Sequence, residues 1–501
     1  MILVLLIALP LIGGFLSWGF GRKNETLCRW LALAPNLVNL VLVAVLWLVS
    51  TGTIVLQDWA GGGAASPWFA HLSVPWIPAL GISFSLAIDG LSLPLLALTA
   101  FLGIMSVLAS WKGITTKVAF FHFNLSLVLA GVNGVFLAVD LFLFAFSWEL
   151  MLIPMYFLID IWGHEERHRA AVKFFLFTQI GGLLMLVSII ALAVLHGMAS
   201  GVWTFDYQSL IGTMLSPVVS MLLMLGFFLA FAVKLPAFPL HTWLPDAHTQ
   251  APTAGSVVLA GLLLKTGGYG LIRFAVPLFP AASRSFAPIA MGLAVAGILY
   301  GGIMAFSQSD MKRLVAYTSV SHLGFVLLGI YAFTPQALTG AIAQMVAHGL
   351  STGALFMLVG GLQDRIHTRD LGRMGGMWRQ VPRMGAAALA LTLALIGLPG
   401  LLNFVSEFLV LVGTYQRSIV ATVLAGVGLV IATVYALRMF GMAFHGSPKE
   451  TWRIPDLDVV EAGSLFLMVA LLIFLGLYPQ PLLHAVEQVV TGVLTLAGGG
   501  A

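Results

Sequence analysis

Val219-Ser-Met-Leu-Leu-Met-Leu-Gly-Phe-Phe-Leu-Ala-Phe-Ala-Val-Lys234-Leu-Pro-Ala-Phe-Pro239 is an apolar run that ends on a lysine and two prolines. A run of about 20 such residues crosses a hydrocarbon core of roughly 30 Å as a helix. Proline removes a backbone donor and clashes with the preceding turn, so this helix is expected to break beside Lys234. Gly397-Leu-Pro-Gly-Leu-Leu-Asn403 carries the same signature in a second apolar segment. Freed backbone groups at such depth are tolerated where neighbouring helices or a water-filled cavity satisfy them.

Working outward from the two breaks, apolar runs fill the chain. Hydrophobic residues make up 60% of the 501 and charged residues 8%, against about a quarter charged in soluble domains. Reading between charged or Gly/Pro-marked breaks gives about fourteen transmembrane helices, with cores at 2–20, 30–50, 87–110, 118–139, 141–160, 174–196, 219–244, 251–276, 286–306, 314–332, 337–361, 385–413, 418–443 and 462–479. The long uncharged run 314–363 is divided at Thr334-Pro335. The breaks fall in the seventh and twelfth spans, five apart. Five spans repeated in tandem must invert, so an all-α polytopic membrane protein with two inverted five-helix repeats is expected. The divisions are then 1–117 for spans 1–3, 118–276 for spans 4–8, 277–445 for spans 9–13, and 446–501 for the last span and tail. Met1 to Phe20 lacks a basic leader and a clear cleavage site and reads as a first span.

Basic residues set the orientation, because cytoplasmic loops accumulate them. Alternate loops hold seventeen of the 23, among them Arg22, Lys23, Lys112, Lys312, Arg369 and Arg373, while the opposite loops hold Arg273, Arg284 and Arg417. Both termini are expected on the outer, periplasmic side. The net charge of +4 is spread over short loops and does not point to nucleic acid. The single cysteine, Cys28, cannot form an internal disulfide or hold a cluster, so no redox cofactor is expected in this chain.

Four ionisable residues fall deep within the expected spans: Glu149, Lys234, Lys265 and Glu407. Each costs at least about 2.5–3.5 kcal/mol at a bilayer centre if left alone, which makes function the default reading. Burial and pairing push carboxylate and ammonium proton affinities in opposite directions, so making or breaking a Glu149–Lys234 pair would move a proton. Lys265, on the glycine-rich Gly261-Leu-Leu-Leu-Lys-Thr-Gly-Gly-Tyr-Gly270, reads as the central relay. His241, His322 and His348 suit the intermediate steps, since imidazole exchanges protons near neutrality, and Glu407 follows the second break as an exit-side carrier. His122 reads as a core histidine. His164-Glu-Glu-Arg-His168 fits the H-E-x-x-H zinc pattern but lies in a basic loop with no third ligand in sight. Gly61-Gly-Gly-Ala lacks the Gly-Lys-Ser/Thr of a phosphate loop.

Val233-Lys-Leu-Pro-Ala-Phe-Pro-Leu-His-Thr-Trp-Leu-Pro-Asp-Ala-His-Thr-Gln-Ala-Pro-Thr-Ala-Gly-Ser256 closely resembles the antiporter-like family shared by complex I, Mrp sodium/proton antiporters and membrane-bound hydrogenases. Trp76-Ile-Pro-Ala-Leu-Gly-Ile-Ser-Phe-Ser-Leu-Ala-Ile-Asp-Gly-Leu-Ser92 and Gly397-Leu-Pro-Gly-Leu-Leu-Asn-Phe-Val-Ser-Glu-Phe408 are similar to the complex I M-type branch, the L and N types having lysine where Glu407 stands. The resemblance covers nearly the whole chain. It implies that Glu149, Lys234, Lys265 and Glu407 match the family's charged positions on spans 5, 7, 8 and 12. It further implies proton translocation in a bacterial inner membrane beside L and N subunits. NADH, FMN, iron–sulfur clusters and quinone would be bound by partner subunits.

Overall fold

The computed structural model describes residues 1–21, 24–53, 68–450 and 452–498. The Gly61–Ala64 stretch and the Arg22–Lys23 pair lie outside them. Among the described residues thirteen helices are long and apolar enough to cross a membrane, and a fourteenth crossing is made by two shorter ones. Spans 1 to 6 are Ile2–Phe20, Glu25–Ser50, Ser92–Ser110, Val118–Leu137, Leu141–Trp162 and Arg167–Ser200. Span 7 runs Pro217–Lys234, stops, and continues as Trp243–Gln250. Spans 8 to 11 are Thr253–Leu278, Pro280–Ser307, Met311–Tyr331 and Pro335–Ile366. Span 12 is broken into Pro382–Ile396 and Leu402–Tyr415, and spans 13 and 14 are Ile419–Phe444 and Val459–Leu477. Both discontinuities fall where the prolines place them.

Local chemistry explains the ends. Thr334 caps span 11, its hydroxyl accepting from the Ala337 amide at 3.3 Å, with Pro335 at the first helical position. Asp310 caps span 10 through the Lys312 and Arg313 amides at 2.9 and 3.0 Å. At the second break, Gly397 and Gly400 take φ of +72° and +99°, which glycine adopts without steric cost.

Two elements extend the all-helical expectation. β1 (Ala70–Ile77) and β2 (Ile82–Ile88) form an antiparallel hairpin ahead of span 3, and the C-terminal tail forms a helix, Gln480–Leu496. Span 3 therefore begins at Ser92, five residues later than its expected core. One charge also moves: Arg273 belongs to no outer loop. It is buried in span 8, its guanidinium paired with Asp89 and lying 4.9 Å from the Trp68 ring and 5.5 Å from the Tyr269 ring. Asp89 accepts from the Leu91 and Ser92 amides with its other oxygen, so one carboxylate ties the hairpin, span 3 and span 8 together.

Span 8 is wholly buried and contains two π-helical turns, Leu259–Leu263 and Leu271–Ala275. Its glycines permit close approach to span 7. A Cβ on Gly267 would stand 2.5 Å from the Phe231 carbonyl oxygen and 2.7 Å from the Leu235 amide nitrogen, both backbone atoms. Gly267→Ala is therefore expected to cost about 1–3 kcal/mol through overpacking and to reduce the amount of assembled complex on native gels. Gly441→Ala, where a Cβ meets nothing within 4 Å, is expected to assemble at the wild-type level.

Candidate functional site: a buried polar line

Lys265 follows the first π turn of span 8. Its ammonium donates back to the Ala260 carbonyl within that widened turn and forms a second contact, 2.7 Å, with Nδ1 of His348 on span 11. Turns of this kind recur at functional positions because they offer carbonyls a regular helix would use internally. With Nδ1 facing the ammonium, the His348 ring carries its proton on Nε2, an atom with no hydrogen-bond partner among the described residues. The rings of His348 and His322 then stand with centroids 6.4 Å apart.

His322, on span 10, is held at both nitrogens. Nδ1 lies 2.7 Å from Glu407 Oε1 and Nε2 lies 3.0 Å from the Tyr435 hydroxyl on span 13. Gln344 donates to the same Glu407 oxygen at 2.8 Å, and its own carbonyl accepts from the Ser406 hydroxyl. Glu407 Oε2 has no hydrogen-bond partner among the described residues; it faces the break of span 12, where a Cβ on Gly397 would approach it to 3.1 Å. Lys265, His348, His322 and Glu407 are each 2% exposed or less. A buried carboxylate is costly unless it is hydrogen-bonded, and the imidazole and amide supply those bonds.

The first repeat is looser. Lys234 closes the first half of span 7, fully buried, its Nζ 5.3 Å from the Trp148 ring and 5.5 Å from the Phe174 ring. Aromatic faces stabilise a cation by their quadrupole, more so away from water. Glu149 on span 5 stands near enough for the two charges to interact, with the Gln179 side chain beside its carboxylate and Gly182 packed against it. The ammonium itself has no hydrogen-bond partner among the described residues, so the expected pair are neighbours rather than a closed salt bridge. Gly267 packs on Leu235, which places the backbones of spans 7 and 8 in contact close to both lysines.

The remaining histidines separate. His241 does not join the line; it lies among the rings of Phe238, Tyr300 and Tyr317, with centroids 5.8, 5.1 and 6.4 Å away. His122 is buried against Phe121, with both nitrogens unpartnered among the described residues. His248, absent from the sequence candidates, is fully buried on the second half of span 7 and stacked on Phe356 at 4.6 Å, near the charges of Lys265 and Lys312. Tyr435 and Gln344 were missed as well, being uncharged. His248 was the findable one, since it sits in the same quoted motif as His241.

The basic loops are pinned to the ends of spans 7 and 8. Lys312, fully buried, donates to the Ala251 carbonyl; Arg369 bonds the Thr249 carbonyl at 2.5 Å and Asp310 at 3.1 Å; Lys173 and Arg313 share Asp246 at 2.7 and 3.4 Å. His164 lies in this cluster, outside the helix that begins at Arg167, and contacts Gln363 at 3.4 Å, while His168 turns to Asp160 at 3.0 Å. Two histidines split by a helix start do not form a chelating turn. Burial first, then the charges of Lys312 and Arg369, lower the His164 pKa to about 4, so its ring is neutral at pH 7.

A model of the NADH:quinone oxidoreductase/Mrp antiporter transmembrane family matches residues 138–433. The chain belongs to this family. Subunit M of the NADH-quinone oxidoreductase of Pseudomonas aeruginosa is 52% identical over 512 residues, covering 99% of this chain and 100% of that one. The Escherichia coli K12 counterpart is 51% identical over 501 residues, covering 98% and 97%. Among solved structures, a chain of respiratory complex I from Thermus thermophilus with bound NADH superposes with a TM-score of 0.87 at 30% identity, covering 100% of both chains. Within the family the chain stands with the M subunits.

The geometry separates two histidines that the sequence grouped. His348→Leu removes the bridge between Lys265 and His322 and is expected to abolish most redox-driven proton pumping in vesicles. His241→Leu is expected to retain at least half, both measured as protons moved per electron in equally assembled complexes.

Proposed function

We propose that this chain is the M subunit of a proton-translocating NADH:quinone oxidoreductase and that protons cross it along Lys265, His348, His322 and Glu407. The observation that carries this reading is the buried line itself: titratable groups in hydrogen-bond contact at one end with a π-turn lysine and at the other with a carboxylate facing a helix break. Structural ion pairs alone would not need an imidazole with an unpartnered Nε2 in the middle.

The steps follow from the contacts. Lys265 passes a proton to His348 Nδ1, and the imidazolium releases the other proton from Nε2 toward His322. A ring-to-ring separation of 6.4 Å is too long for a direct bond, so one bridging water or a turn of the His348 ring completes the transfer and acts as the gate. The Tyr435 hydroxyl gives its proton to His322 Nε2 and accepts the incoming one in its place, and Nδ1 delivers to Glu407 Oε1, which Gln344 holds. Oε2 opens to the span 12 break, where release to the outer side is possible. Glu149 and Lys234 are the switch of the first repeat: drawing the ammonium to the carboxylate, or letting the two part, changes the charge at the break of span 7.

Electron transfer from NADH to quinone, with FMN and iron–sulfur clusters, belongs to partner subunits in this reading, and L and N subunits flank the chain. The orientation has both termini on the periplasmic side of a bacterial inner membrane.

Glu149→Gln keeps shape and removes the titratable partner of Lys234, so assembly is expected to survive and most coupled pumping to be lost. Glu407→Lys is expected to pump more than Glu407→Ala, because a titratable group remains. Wild-type stoichiometry in Glu149→Gln removes the switch; equal pumping by the two Glu407 variants removes the exit carrier.

A further inference from the structure

Three basic residues lie on the face opposite the basic loops, and Arg273 is buried on Asp89. The other two, Arg284 and Arg417, are exposed, and among the described residues neither has a carboxylate partner. They meet at one place. A groove of about 570 Å³ between span 9 and the start of span 13 has both arginines at its mouth and Met291, Gly292, Val295 and Leu424 along its walls. The Arg284 guanidinium also rests against Gly498.

Three features describe what such a groove takes. Ser418 caps span 13 at the mouth, so the positive end of that helix points to the same place as the two guanidiniums. The floor is open at Gly292, where a Cβ would meet nothing within 4 Å. The walls run out onto apolar surface that faces the bilayer, with Val420 70% and Ile289 57% exposed. A free phosphate would have no use for the apolar walls, and an apolar helix of another protein would leave two arginines unpaired.

We infer that this groove binds a phospholipid of net negative headgroup, its phosphate held by Arg284 and Arg417 and one acyl chain laid over Gly292. This occupant matches both charge and polarity along the groove: anionic at the membrane surface, hydrocarbon below.

Photoactivatable phosphatidylglycerol, and phosphatidylcholine with the same photoactivatable chain, incorporated into nanodiscs around the intact complex, test this by peptide mapping. The phosphatidylglycerol probe is expected to label residues 284–296 and 417–424 several-fold more than the phosphatidylcholine probe. Arg284→Gln and Arg417→Gln are each expected to lower that labelling roughly five-fold, the factor set by about 1 kcal/mol per surface arginine. Gly292→Phe fills the open floor without striking protein and is expected to lower labelling while assembly stays intact; should it fail to assemble, the arginine variants decide. Equal labelling by the two lipids, labelling unchanged in the arginine variants, or crosslinks from these segments to a neighbouring subunit in place of lipid would overturn the inference.

Discussion

A carboxylate inside an apolar helix bundle is costly unless donors meet it, and Glu407 is met at one oxygen by two of them. His322 and Gln344 share one of its oxygens, Ser406 orients Gln344, and Tyr435 fixes the far side of His322. Spans 10, 11, 12 and 13 are thereby tied to a single carboxyl group. Removing one partner of such a buried set leaves a polar group unsatisfied, at a cost of about 1–3 kcal/mol. In the proposed function the same bonds that make the carboxyl group tolerable are the route by which a proton reaches it.

The repeat makes this arrangement intelligible. Spans 5, 6 and 7 of the first unit correspond to spans 10, 11 and 12 of the second. Glu149, Gln179 and Lys234 occupy the first set; His322, Gln344 and Glu407 occupy the second. Each trio combines a titratable group on the unit's second span, a glutamine on its third and a charge at the break of its fourth. The second trio is closed by hydrogen bonds. The first is open, with Lys234 held by Trp148 and Phe174 and no hydrogen-bond partner among the described residues. In the proposed function the open pair responds to a distant event and the closed one transmits its result.

Most of the architecture was legible because bilayer width dictates span length, and because proline and glycine mark breaks in otherwise uniform helices. Thr334-Pro335 divided a long apolar run correctly for that reason. The hairpin was missed because Ile82-Ser-Phe-Ser-Leu is short and abuts span 3, so its alternation merges with the next apolar run. Arg273 was placed in a loop because a cation near a span's end is normally solvated, and nothing local in sequence announces Asp89, 184 residues away. In the site, charge was visible and contact was not. Lys265, His348, His322 and Glu407 are joined by tertiary packing, whereas His241, one turn from Lys234's break, is turned among aromatic rings. Tyr435, Gln344 and His248 are brought to their places by tertiary packing, which residue type alone does not reveal.

The central claim is that the proton reaching Glu407 arrives through His348. Infrared difference spectroscopy on energised, isotopically labelled complex reads it directly, by following the carboxyl band assigned to Glu407 through its loss in Glu407→Gln. The account predicts that the band changes on energisation in the wild type and is silent in an assembled His348→Leu complex. A full Glu407 response in that variant would contradict it.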